Sequence, residues 1–144
     1  MKTPNDNSYE LRVKSETSQL EAIRNFITNN ANKNLLPEQI ANAIILAVDE
    51  AATNIVKHAY HYDKEKDILI NFSISNDECC VSLTDYGDSF DPSLITPPDM
   101  KEYLQQRRVG GLGLFLIRTL MDSMEYKSIP GKMNLLTMKK KINK

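Results

Sequence analysis

Residues 67–85 narrow the choice of fold more than any other stretch of the chain. Ile68, Ile70, Phe72 and Ile74 recur at every second position, and after Asn76-Asp77-Glu78 the residues Cys79, Val81 and Leu83 do the same. A period of two puts each set on one face of a pleated strand. Joined by a short polar turn, the runs Asp67–Ser75 and Cys79–Asp85 predict an antiparallel hairpin with one apolar face. That face has to be covered, and the covering elements are legible upstream. Tyr9 to Val13 alternates as a short first strand. Ser15 or Thr17 offers an N-cap for a helix through Leu20, Ile23, Phe26 and Ile27. Leu36-Pro37-Glu38 opens a second helix with Pro at an early position. Ile40, Ile44, Ala47, Val48, Ala51 and Ile55 form its apolar stripe, and it should run to about Tyr60.

Downstream, Asp85 to Arg108 is a long segment rich in Pro, Gly and Asp, and loops of that length in a compact domain are commonly functional. A glycine cluster and an apolar helix over about 112–123 follow. Glu125–Ile129 and Met133–Lys139 then read as a closing hairpin around Pro130-Gly131. The order of strand, two helices, two strands, loop, helix and two strands predicts an α+β fold, with helices on one face of a mixed, mostly antiparallel sheet. At 144 residues one domain is expected, long enough for a core without staples.

A net charge of −1 gives no basic field, so neither nucleic acid nor an anionic membrane is an expected partner. Lys139, Lys140, Lys141 and Lys144 read as a frayed, solvated tail. Cys79 and Cys80 are adjacent and point to opposite faces of a strand, which disfavours a bridge, and there is no second Cys/His cluster for zinc. MKTPNDNSYE has no apolar signal core, and no stretch approaches the length of a membrane span, so the cytoplasm is the expected location.

Three groups of residues carry chemistry. Glu50 and Asn54 are four apart, neighbours on the second helix at the edge of its apolar stripe. By themselves they also fit a helix edge facing water. Asp85 continues the phase of Val81 and Leu83, so it points inward and needs donors: a turn backbone, or an exocyclic amine such as adenine N6. Gly87, two positions on, would let a flat ring approach the backbone. Gly110-Gly111-Leu112-Gly113-Leu114 opens the third helix, where backbone N–H groups can meet phosphate oxygens. It is neither a Walker loop nor a dinucleotide fingerprint, and a flexible helix start is the plain alternative. Arg107 and Arg108 precede it and could reach a phosphate, with an exposed pair as the plain alternative.

E-x-x-x-N on a helix, D-x-G after a strand and G-x-G at a helix start, in this order, resemble the GHKL ATPase superfamily with its Bergerat fold. The runs Glu50-Ala-Ala-Thr-Asn54-Ile-Val-Lys-His58-Ala59-Tyr60, Asp85-Tyr-Gly87-Asp88-Ser89-Phe90-Asp91 and Gly110-Gly111-Leu112-Gly113-Leu114 look like the RsbW/SpoIIAB anti-sigma factor serine kinases. The resemblance extends into Leu120-Met121-Asp122. It implies a two-layer ATP-binding domain over residues 1–144 with a lid at about 92–109. Asn54 matches the ligand of a Mg²⁺ that bridges the phosphates, and Glu50 the general base. Asp85 matches the reader of adenine, with Gly87 beside the ring and Phe90 in the same motif. Gly110, Gly111, Leu112 and Gly113 match the phosphate loop. His58 also falls on the pattern and reads as a structural residue at the helix end. Two departures stand out: Val109 occupies the place of an arginine in some relatives, leaving the role to Arg108, and Met133-Asn134 stands where Gly-Thr is usual, leaving Asn134 as the substitute near adenine.

The function implied is a Mg-ATP-dependent serine-protein kinase that phosphorylates a STAS-type antagonist, sequesters a sigma factor or similar regulator, and works as a homodimer. Two other classes fit parts of the pattern. A nucleotide-gated binding module would not need Glu50. A detached histidine-kinase ATP-binding domain would be expected beside a dimerising helix with an acceptor His.

Overall fold

The computed structural model describes residues 7–89, 117–129 and 131–142. Strand β1 (Asn7–Lys14) leads through a short turn at Thr17–Gln19 into helix α1 (Leu20–Lys33) and helix α2 (Glu38–Asn54). The chain continues as a π-helical turn over Ile55–Ala59, then strands β2 (Asp67–Ser75), β3 (Glu78–Asp85), β4 (Ser123–Ile129) and β5 (Met133–Lys141). The strands form one sheet in the order β1-β2-β3-β5-β4, and each pairing among the described residues is antiparallel. The expected two-layer α+β arrangement is therefore present.

The hairpin has the register its alternation demands: Ile70 lies opposite Leu83 and Phe72 opposite Val81. Ile68, Ile70, Phe72, Cys79, Val81 and Leu83 are buried, and α2 covers them with Ile44, Ala47, Val48, Ala51 and Ala52. α1 packs on α2 and contributes Ile23, Ile27 and Ala31 to the same core. One contiguous apolar layer thus holds helices to sheet, and burying each large side chain is worth roughly 1.5–3 kcal/mol.

Four local expectations need correction. Neither Ser15 nor Thr17 caps α1, which begins at Leu20 without a side-chain cap. The Ser15 backbone N–H is taken by the Lys66 carbonyl at 2.8 Å, which keeps Ser15 beside the strand end, and Thr17 is already inside the short turn. Pro37 is the cap residue of α2 and not its first helical residue; its ψ of 142° is extended. Residues 117–120 are helical, but Met121 and Asp122 bend away and β4 starts at Ser123. Asp122 is drawn to the sheet: its N–H donates to the Lys139 carbonyl at 2.9 Å and its carboxylate accepts the Lys141 N–H at 2.6 Å. Nor are Lys139, Lys140 and Lys141 a frayed tail. They extend β5 opposite Cys80, Cys79 and Glu78, and Lys140 Nζ donates to the Leu120 carbonyl at 2.7 Å. Lys144 lies outside the described residues. Cys79 and Cys80 are free thiols, and burial pushes the Cys79 thiol up to about 12, so it stays protonated at neutral pH.

Candidate functional site

The site is built where β3 ends beside the end of α2. Asp85 is the last residue of β3 and keeps its inward phase, which leaves the carboxylate buried. Its Oδ1 accepts the Gly87 N–H at 2.9 Å and the Asn134 Nδ2–H at 2.9 Å. Asn134 stands directly opposite on β5, donates also to the Gly87 carbonyl at 2.9 Å, and accepts from Ser128 Oγ at 2.7 Å. Among the described residues, both bonds to the carboxylate fall on Oδ1. Burial raises the Asp85 pKa, while the Asn134 and Gly87 donors pull it back by favouring the charged form.

Gly87 is a packing requirement. A Cβ there would stand 2.4 Å from the Ala59 carbonyl oxygen and 2.9 Å from Tyr60 Cδ1. The same carbonyl accepts the Asp88 N–H at 2.9 Å. So the missing side chain lets the D-x-G turn lie on the end of the helix, a reason distinct from contact with a ring. Tyr60 completes the joint: its hydroxyl donates to the Asp67 carbonyl at 2.6 Å and accepts the Tyr86 N–H at 2.7 Å. Burial pushes this phenol up to about 12, so it remains a neutral donor. Beyond it, His61 and Tyr62 adopt left-handed backbone (φ 50° and 65°), and His61 Nε2 meets Asp88 Oδ2 at 2.7 Å. The π-helical turn, closed by Tyr60 N–H on the Ile55 carbonyl at 2.9 Å, brings Ala59 and Tyr60 to the strand end. Such bulges recur at functional sites.

Glu50 and Asn54 lie on the last turns of α2, half-buried at the edge of its stripe. The Glu50 pKa is raised, first by burial and then by the neighbouring Asp49 charge, while Lys57 opposes. Asp49 is held by Arg24 of α1 at 2.6 Å. Asn54 Nδ2 is buried and has no hydrogen-bond partner among the described residues. A buried N–H without a partner costs about 1–3 kcal/mol, and Ser15 Oγ is the other such atom among the described residues. His58 is exposed in the π-helical turn.

The residues matched to phosphate binding and the lid fall elsewhere. Phe90, Arg107, Arg108, Gly110, Gly111, Leu112, Gly113 and the segment 92–109 lie outside the described residues. Ser128, which the sequence reading did not single out, joins the site through Asn134. Its signal was the closing hairpin itself: pairing Ile129 with Met133 across the turn sets Ser128 opposite Asn134.

Residues 13–140 match the histidine kinase-like ATPase domain family. The chain belongs to that family. Among relatives of this histidine kinase-like ATPase domain is the serine-protein kinase RsbW of Halalkalibacterium halodurans, 32% identical over 141 residues, covering 95% of this chain and 86% of that one. RsbW of Listeria monocytogenes is 43% identical over 84 residues, 56% of this chain and 54% of that one. RsbW of Staphylococcus aureus is 45% identical over 91 residues, 60% and 57%. In the latter two the matched region spans little more than half of the relative's length. The fold also matches two solved structures. The RsbU and RsbW domains of a Mycobacterium tuberculosis protein superpose with a TM-score of 0.71 at 14% identity, over 96% of this chain and 33% of that one. The SiaB–SiaC complex of Pseudomonas aeruginosa gives 0.65 at 17% identity, over 92% and 88%.

The residues present suit a magnesium-bound nucleotide. Mg²⁺ takes hard oxygen ligands and is usually held by one or two protein groups plus phosphates and water. Asn54 carries a carboxamide beside the Glu50 carboxylate on the same helix face: its oxygen could ligate the metal, and its buried Nδ2–H, without a partner among the described residues, could donate to a phosphate oxygen. Among the described residues no helix is long and apolar enough to cross a membrane.

Proposed function

We propose that this domain is an ATP-dependent serine-protein kinase of the anti-sigma factor type. It transfers the γ-phosphoryl group of Mg-ATP to a Ser hydroxyl of a STAS-type antagonist, and it holds a sigma factor or similar regulator in the alternative complex. The observation that carries the reading is the pairing of Glu50 with Asn54 one turn further along α2, where the buried Asn54 Nδ2 has no partner among the described residues. Identity to the RsbW serine-protein kinases supports it, including the match over 95% of this chain.

Asp85 accepts from the adenine 6-amino group through the oxygen its neighbours leave over. Asn54 would hold Mg²⁺, which supplies charge neutralisation on the phosphates. Gly110, Gly111, Leu112, Gly113 and Arg108 receive the phosphate chain, 92–109 acts as the lid, and Phe90 lines the nucleotide. Glu50, its pKa raised by burial and Asp49, takes the proton of the attacking Ser hydroxyl. The Ser oxygen forms the new bond to the γ-phosphorus, the bond from that phosphorus to the bridging oxygen breaks, and ADP leaves. Positioning and electrostatics carry most of such a transfer.

A nucleotide-gated binding module would require Asn54 and Asp85 but no carboxylate at position 50. A histidine-kinase domain would deliver its phosphoryl group to an imidazole. We further propose a cytoplasmic homodimer, to be checked by mass in solution. The deciding experiment incubates the protein with labelled Mg-ATP and candidate antagonists. Acid-stable label that vanishes when one antagonist Ser becomes Ala supports the kinase. Acid-labile label supports the histidine-kinase reading, and partner capture without label supports the binding module.

A further inference from the structure

Asn134 stands opposite Asp85 where β5 pairs with β3, and the geometry gives it a task other than touching the nucleotide. It is 2% exposed, and both hydrogens of its amide are spent inside the protein, on Asp85 Oδ1 and on the Gly87 carbonyl, each at 2.9 Å. Its own oxygen accepts from Ser128 Oγ at 2.7 Å. The orientation of the amide follows from these partners. Turned over, it would set its oxygen against two acceptors, one of them ionic. Ser128 satisfies the remaining end, so the amide has one arrangement in which every buried group is paired. The Gly87 N–H shares Oδ1 with Asn134 at 2.9 Å, so two donors converge on a single carboxylate oxygen.

We propose that Ser128 and Asn134 set the base selectivity of the site, by holding a donor on Oδ1 so that the Asp85 carboxylate stays ionised and offers Oδ2 to a purine as an acceptor. An acceptor pairs with a 6-amino group and repels a 6-oxo group. Selectivity for adenine over hypoxanthine then depends on the carboxylate staying ionised. If the Ser128 donor is lost, the Asn134 carbonyl loses its protein partner, that end of the amide is no longer anchored, and its donation to Oδ1 weakens. With that donor weakened, the ionised carboxylate is less favoured and takes up a proton more readily. A protonated Oδ2 donates to a 6-oxo group, which erases the discrimination. Ser128 and Asn134 are positioning residues: they act on the base through Asp85. This inference rests on the reading of the site as an ATP site.

The test is calorimetric titration of the full chain with Mg-ATP and with Mg-ITP, for the wild type, Ser128→Ala, Ser128→Thr and Asn134→Ala. Ser128 is exposed on β4, so its variants report even if Asn134→Ala fails to fold. The ratio of ATP to ITP affinity should fall about 2- to 12-fold in Ser128→Ala, the worth of one neutral hydrogen bond. It should return towards the wild-type value in Ser128→Thr, which restores a hydroxyl. A wild-type ratio in Ser128→Ala, or a loss of both affinities in equal proportion, gives these residues a packing role only and overturns the inference. So does a ratio that collapses equally in Ser128→Thr. A wild-type protein that binds neither nucleotide removes the ATP reading and this inference together, and is told apart by the wild-type titration alone.

Discussion

The two ends of the site are finished to different degrees. At the strand end, Asp85, Gly87, Asn134 and Ser128 are interlocked, and Gly87 and Asp88 are seated on the helix end through Ala59. On α2, Glu50 is half-buried with a raised pKa, and Asn54 has a buried amide that no described residue satisfies. The base end is thus assembled by folding itself, from sheet register and backbone. The proposed reacting end leaves the Asn54 Nδ2–H without a partner among the described residues. Under the proposed function, a preorganised base end beside an unsatisfied Asn54 Nδ2–H would couple nucleotide capture to assembly of the reacting end.

If that division is real, the largest effect comes from Glu50→Gln. Transfer to the partner should drop by roughly 10²–10⁴-fold, the range for a general base, while calorimetric affinity for Mg-ATP stays close to wild type. A matching loss of affinity would mean that the two ends are one unit.

Asp85→Asn probes the other end. Its amide oxygen keeps the Gly87 and Asn134 bonds on one side but loses the charge that holds the adenine amine. ATP affinity should fall by about 1.5–3 kcal/mol. Stability should move the opposite way. The folded pKa of Asp85 is raised by burial, so its contribution to stability is fully present below the unfolded pKa and is lost as pH rises through the folded pKa. At pH 7 the buried charge is a cost that the amide relieves, by about 0.5–2 kcal/mol. In urea melts the variant should therefore be the more stable at neutral pH, with the gap closing as the medium is acidified. Equal stability at every pH would show that the two donors fully offset desolvation.

Gly87→Ala tests whether the D-x-G turn serves the fold as well as the ligand. The new methyl would press on the Ala59 carbonyl, which is backbone and cannot turn aside. A loss of about 1–3 kcal/mol is expected, as for other overpacked sites. A wild-type melting temperature combined with weakened ATP binding would return Gly87 to the purely ligand-facing role.

This variant also marks the limit of what the sequence discloses. The hairpin was legible because Ile68, Ile70, Phe72, Cys79, Val81 and Leu83 alternate on a single buried face, and burial there tolerates no register slip. The inward pointing of Asp85 followed from the same phase. The approach of Gly87 to Ala59 did not, because it depends on the π-helical turn at Ile55–Ala59, and one extra residue in a turn leaves no periodic trace. The lysines of β5 misled for a similar reason. Their charge describes a solvated surface, and their backbone pairs with β3 all the same. Ser128 carried no signal by type, only by its register with Asn134 across the closing turn.

The smallest effect distinguishes tuning from attachment on α2. Asp49 raises the Glu50 pKa through its charge and is itself held by Arg24 at 2.6 Å, with side-chain exposures of 28% and 43%. An ion pair this open is worth less than about 1 kcal/mol, so Asp49→Asn should leave the melting temperature almost unchanged. Its consequence is electrostatic. Without the neighbouring negative charge, and with Arg24 no longer neutralised, the ionised form of Glu50 is easier to reach and its pKa falls. The acid limb of the transfer rate, where the base becomes protonated, should shift to lower pH, while ATP affinity stays constant. The shift should shrink in high salt, because partly exposed charges are screened within about 10 Å at 0.1 M ionic strength. A limb that moves to higher pH, or a change confined to ATP affinity, would detach Glu50 from the proton transfer and leave the open edge of α2 as a nucleotide contact alone.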